Sequence, residues 1–256
     1  MVESKWFRGF DWFYRLIVIN LITILIPLLL SIGPLLIWYY YNNLVFFLIT
    51  GLFLAFFSFI PCFVTSFFLI KYFKEEKAGN VFVLYFKTLK IVFNSIYKYE
   101  LIVVPIIFLF LYGAYYYWLM LDPEYYQLVW GYIAIIGFLV SFLCLSLFVL
   151  SLVNIPMIVS YYRMKTKDLI KLSLYMSLRY FFKTLLYFII LCVPLLLIIW
   201  NPAFFIPLYT LLGISLPLYV IYILSHKFYW YLSKNIEDVK DAEKYNLKGE
   251  ENETGN

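Results

Sequence analysis

No charged side chain occurs between residues 16 and 41, or between residues 101 and 121. Each run reaches the roughly 20 apolar residues that a helix needs to cross a hydrocarbon core. Inside lipid the backbone must satisfy its own N–H and C=O groups, so runs of this kind fold as helices and not as loops. A membrane β-barrel would instead show alternating polarity in segments of about ten residues, and no such alternation is present. The composition agrees: 65% of the residues are hydrophobic, 14% are charged, and the mean hydropathy is +0.88. A soluble domain is nearer half apolar. The sequence predicts an all-α membrane protein.

Six spans are predicted, at residues 16–38, 44–70, 101–121, 128–153, 185–200 and 204–224. The basic residues orient them. All 20 Lys and Arg fall in the N-terminal segment, in residues 71–98, in residues 163–183 or in the tail from 227 to 248. The connections 40–43, 122–127 and 201–203 hold none. By the positive-inside rule both termini are expected in the cytoplasm of a bacterial cell membrane, with very short outer loops. The expected division is a transmembrane domain over residues 1–225 and a polar cytoplasmic tail over 226–256, partly disordered.

Two stretches resemble each other. Ile60-Pro61 recurs as Ile155-Pro156, and Phe86-Lys87-Thr88-Leu89 recurs as Phe182-Lys183-Thr184-Leu185. This points to a possible parallel internal repeat with units at about 44–121 and 128–200. Each unit would be a helix with a Pro-marked end, a cytoplasmic amphipathic helix and a returning helix. The first amphipathic helix is expected over residues 80–98, with a polar stripe through Lys87, Lys90, Asn94 and Lys98. The second is expected over residues 167–183, with a stripe through Lys171, Tyr175, Arg179 and Lys183. Apolar helices with one basic stripe lie in the membrane interface. Lys87, Lys90, Lys98, Lys171, Arg179 and Lys183 are therefore candidates for docking a partner or anionic lipid, and simple anchoring by snorkelling lysines is the plainer alternative.

The chemistry an intramembrane enzyme needs is sparse. His226 is the single histidine, and Cys62, Cys144 and Cys192 are well separated. No zinc-protease signature and no phosphate-binding glycine loop is present. Asp11, Arg15 and Glu100 fall at the edges of the predicted spans, so no ionisable residue is expected clearly inside one. The sequence points to no enzyme, no cofactor and no metal. Asn20 and Asn154 are the costliest polar residues to place at membrane depth, and they are candidates for helix packing or for a substrate path.

The opening Asp11-Trp12-Phe13-Tyr14-Arg15-Leu16 followed by Asn20-Leu21, and the run from Ile60-Pro61 through Thr65, Phe68, Lys71 and Glu75 to Phe86-Lys87, resemble the YesL-like family of bacterial membrane proteins. That resemblance implies a permease-like or accessory component associated with carbohydrate uptake of the ATP-binding-cassette type. The partners it implies are permease or ATPase subunits beside the lipid bilayer, with no nucleic acid. The alternative is a structural or regulatory membrane protein that recruits a cytoplasmic partner or binds anionic lipid.

Overall fold

The computed structural model describes residues 5–41, 44–75, 79–121, 128–162 and 164–235. Among these it contains eight helices: α1 (Lys5–Tyr41), α2 (Leu44–Lys74), α3 (Val81–Leu119), α4 (Leu128–Tyr161), α5 (Thr166–Arg179), α6 (Phe181–Trp200), α7 (Pro202–Leu212) and α8 (Ser215–Asn235). Helices α1, α2, α3, α4 and α6 each contain a segment long and apolar enough to cross a membrane. The protein is an all-α membrane protein. The connections at 42–43 and 122–127 and the tail from 236 lie outside the described residues.

The sixth predicted span is broken. Helices α7 and α8 meet at an angle of 58° around Gly213 and together pass as one bent span. An 11-residue helix such as α7 rises only about 16 Å, half of a hydrocarbon core. Asn201 starts α7 by accepting from the Phe204 amide at 3.4 Å, with Pro202 in the first turn. Helix α8 then continues to Asn235, so residues 226–235, the first ten of the predicted tail, are helical. Tyr229 is a core residue there, because its ring packs on Tyr161.

The first predicted amphipathic helix is not a separate element. Asn80 caps α3 by accepting from the Phe82 amide at 3.0 Å, and the 39-residue helix then runs without a break to Leu119. No glycine or proline lies between Asn94 and Glu100 to stop it, and Pro105 is accommodated inside the helix. At about 58 Å, α3 is nearly twice the thickness of a hydrocarbon core. In the second half of the chain the corresponding region does break. Tyr180, with φ −113° and ψ 40°, separates α5 from α6. Lys183 therefore sits in the first turn of α6 and not on α5. Pro61 and Pro156 also lie within α2 and α4 and do not mark their ends. The matched pairs Ile60/Ile155, Thr65/Ser160 and Thr88/Thr184 are all buried.

Cations of α1, α2 and α6 pack against neighbouring helices at the basic end of the bundle. The Arg15 guanidinium lies 4.5 Å from the centroid of the Phe73 ring, and the Lys183 ammonium lies 4.3 Å from that of Phe228. Lys71 donates to the Ser160 carbonyl at 2.7 Å and sits 3.7 Å from the Tyr161 ring centroid. The largest buried side chains, including Tyr85, Tyr99, Phe67 and Tyr229, are on the helix segments that meet there. On the remaining lengths of α3, α4, α6 and α7, leucine, isoleucine and aromatic side chains are exposed. That surface needs no protein cover when lipid is the solvent.

Candidate functional site

The break between α7 and α8 creates a local problem. The last carbonyls of α7 and the first amides of α8 lose their helical partners, and water is not at hand in lipid. One side chain solves it from across the bundle. The Asn20 carboxamide of α1, fully buried, donates to the carbonyls of Tyr209 at 3.0 Å and Thr210 at 2.8 Å. Its oxygen accepts from the amides of Ile214 at 2.7 Å and Ser215 at 2.9 Å. A carboxamide has two N–H donors and two acceptor lone pairs, and Asn20 uses all four on the break. Leucine or alanine at position 20 would take the acceptor from the Ile214 and Ser215 amides and the donor from the Thr210 carbonyl, while the Tyr209 carbonyl would keep the Gly213 amide at 2.7 Å.

Asn154 is a second hub. From α4 its amide nitrogen donates to Ser177 Oγ on α5 at 3.0 Å and to Thr184 Oγ1 on α6 at 3.2 Å. Its oxygen accepts from the Tyr229 hydroxyl of α8 at 3.3 Å. Four helices are thus joined through one side chain. A third network joins α1, α2 and α3. Thr23 Oγ1 lies 2.5 Å from Ser66 Oγ and 3.0 Å from the Tyr85 hydroxyl, which also donates to the Cys62 carbonyl at 3.3 Å. By contrast Ser31, Ser58, Ser146 and Ser151 bond carbonyls of their own helices three or four residues back. Those hydroxyls satisfy carbonyls of their own helices.

The basic candidates fall into two groups. Lys171, Tyr175 and Arg179 are exposed on one face of α5, and Lys183 is exposed just beyond the Tyr180 break. Arg179 donates to the Tyr175 hydroxyl, an interaction between neighbours one turn apart. The opposite face of α5, with Leu169, Ser173, Met176 and Ser177, is buried. Asp168 in its first turn and Arg179 in its last both complement the helix dipole. On α3, Lys90 and Lys98 are exposed and Lys87 is partly so. Apolar side chains flank both groups: Phe82 and Phe86 stand beside Lys87, and Phe182, at 84% exposure, stands beside Lys183.

Glu100, expected at the edge of a predicted span, is fully buried in the middle of the continuous α3. The stripe of lysines ends at Lys98 on the outer face. Two residues further on, the helix has turned by about 200°, which carries Glu100 to the inner face. That phase was legible in the sequence from the spacing of Lys87, Lys90 and Lys98. Two further residues, to which the sequence assigned no site role, make contacts between helices. Lys71 bridges α2 to α4, as described above, and His226 Nδ1 lies 2.7 Å from the Tyr161 hydroxyl. No composition signal marks either, because their partners are distant in sequence.

Between α6, α7 and α8 the bend forms an open apolar cleft of about 290 Å³, lined by Val193, Pro194, Leu208, Leu212, Pro217 and Val220. Among the described residues no group of three or more His, Cys, Asp or Glu converges on a possible metal position. Comparison of the chain with family models, with curated proteins and with solved structures gives no match in any of the three.

Proposed function

We propose that the protein is a permease-like or accessory component of carbohydrate transport of the ATP-binding-cassette type. In this reading it works in the bacterial cell membrane, with both termini and the basic end in the cytoplasm, and carries no enzymatic chemistry of its own. The single observation behind it is the exposed basic face of α5, whose opposite face is buried and tied to α4 by the Asn154–Ser177 bond, continued by Lys183. A docking helix needs a fixed inner face and a free outer one, and α5 has both. The resemblance to the YesL-like family supplies the class of transport. The bent α7–α8 pair supports a permease-like reading, because interrupted membrane helices recur at transporter binding sites.

The test is affinity purification of the tagged full chain from crosslinked native membranes. Recovery of a sugar-transport ATPase or permease, lost in the K171E/R179E/K183E variant, is the expected result. Recovery that the triple variant does not alter would remove α5 as the dock. A preparation free of any transport subunit would favour the second reading, a structural or regulatory protein that binds anionic lipid. The observation favouring that alternative is the exposed Phe181 and Phe182 beside Arg179 and Lys183, since aromatic and basic side chains together mark the membrane interface.

A further inference from the structure

Glu100 presents a problem that the docking face does not address. Its side chain is fully buried, and neither carboxylate oxygen has a hydrogen-bond partner. Among the described residues no charged group compensates it: burial alone acts on this carboxyl. The cation nearest in sequence, Lys98, is on the exposed face of α3 with its ammonium 5.7 Å from the Tyr97 ring centroid. From α2 the Cys62 thiol lies within electrostatic reach, and on α3 itself so does Tyr99. Helices α4 and α5 present only the uncharged Ser151 and Ser173 toward Tyr99, and no charged group of α1 reaches Glu100.

An isolated carboxylate in such a place is too costly to hold, so the group binds a proton or another cation. A second feature singles the place out. The Tyr99 hydroxyl is also buried without an aligned partner, as is the Thr88 hydroxyl three turns earlier on the same helix. Native interiors satisfy nearly all such groups. The buried Val92 and Ile96 separate Thr88 from the other two, so the unused hydrogen-bonding capacity is concentrated at the adjacent Tyr99 and Glu100.

We infer that Glu100 is an exchangeable proton-binding site inside the bundle. It is protonated at rest, as –COOH. On exchange it releases H⁺ to water and becomes –COO⁻ until water returns a proton. An intramembrane acid is otherwise too costly to keep without use. This site is separate from the α5 face and stands or falls without it.

The experiment uses the full chain in lipid nanodiscs, read by infrared difference spectroscopy. The expected result is a carboxylic-acid C=O band at neutral pH that is absent in Glu100→Gln and that shifts when H₂O is exchanged for D₂O. A missing band, or one unchanged in E100Q, overturns the proposal. A band that E100Q removes but D₂O never shifts overturns it too, since the acid would then be sealed and merely structural. A measurement needing no variant runs beside it: a hydrophobic carbodiimide, which attacks protonated buried carboxyls, applied to the native protein and mapped by mass spectrometry. Modification of Glu100 that declines as pH rises is expected. The absence of modification at every pH would refute a protonated, reachable acid.

Discussion

The Asn20 side chain accepts a hydrogen bond from the backbone amide of Ile214 at 2.7 Å, across 194 residues of chain. Together with its three companion bonds this makes α1 the splint of a helix that is not continuous. Replacing Asn20 by Ala is expected to cost about 2–4 kcal/mol, counting four bonds at the modest values found in membranes plus the orphaned helix ends. Thermal or denaturant unfolding in detergent micelles reads this directly. Asn20→Asp keeps the acceptor half of the clasp and loses the donor half, so its carboxylate would face the Tyr209 and Thr210 carbonyls. It should be at least as damaging as Ala near neutral pH.

Asn154 should behave as a shared node and not as a set of independent pairs. A double-mutant cycle of Asn154→Ala with Tyr229→Phe isolates the α4–α8 contact, whose partners lie 3.3 Å apart. The coupling is expected at about 0.6 kcal/mol, the average for a hydrogen bond between membrane helices. A coupling near zero would show that the Tyr229 hydroxyl is satisfied elsewhere when Asn154 is removed.

Glycine decides the approach of α3 to α4. A Cβ at Gly137 would meet the Tyr117 ring at 2.6 Å from Cζ, closer than packed atoms tolerate. Gly137→Ala is therefore expected to destabilise the bundle by about 1–3 kcal/mol through overpacking. Adding Tyr117→Leu should recover most of the loss. Failure of the second change to rescue would mean that α3 and α4 separate along their length and that the ring alone is not the obstacle.

How much of this was legible in the sequence differs by feature. Charge-free runs are read directly because hydropathy is a local property, and they placed five of the spans within crossing helices. The break at Gly213 was not legible. It depends on Asn20, and a pairing across the whole chain leaves no local trace. The continuity of α3 was missed because a polar stripe reads as a separate surface helix even where no residue breaks the backbone. Glu100 was set at an edge by counting positions along the chain. The same lysine spacing, read as helical phase, would have turned it inward. Asn20 and Asn154 were singled out on cost alone, and only the structure shows which carbonyls, amides and hydroxyls they meet.

The exposed face of α5 carries the last prediction. Lys171, Arg179 and Lys183 sit on it or just beyond it, with Phe181 and Phe182 exposed beside them. A basic side chain near an anionic lipid surface contributes about 1 kcal/mol. The triple change K171Q/R179Q/K183Q should therefore reduce the preference for phosphatidylglycerol over phosphatidylcholine by roughly a hundredfold. Competitive retention of the two lipids, followed by native mass spectrometry of the full chain, measures this. None of the three donates to or accepts from the Asn20 or Asn154 side chain. The Lys183–Phe228 contact is a cation–π pair of an exposed lysine, worth about 0.5–1 kcal/mol, so unfolding in a neutral detergent should shift by no more than that. If lipid preference persists while stability is constant, anionic lipid is held by Lys87, Lys90 and Lys98 on α3 instead, and α5 is left free for a protein partner. If both fall together, the charges matter through the fold itself, and the face is structural.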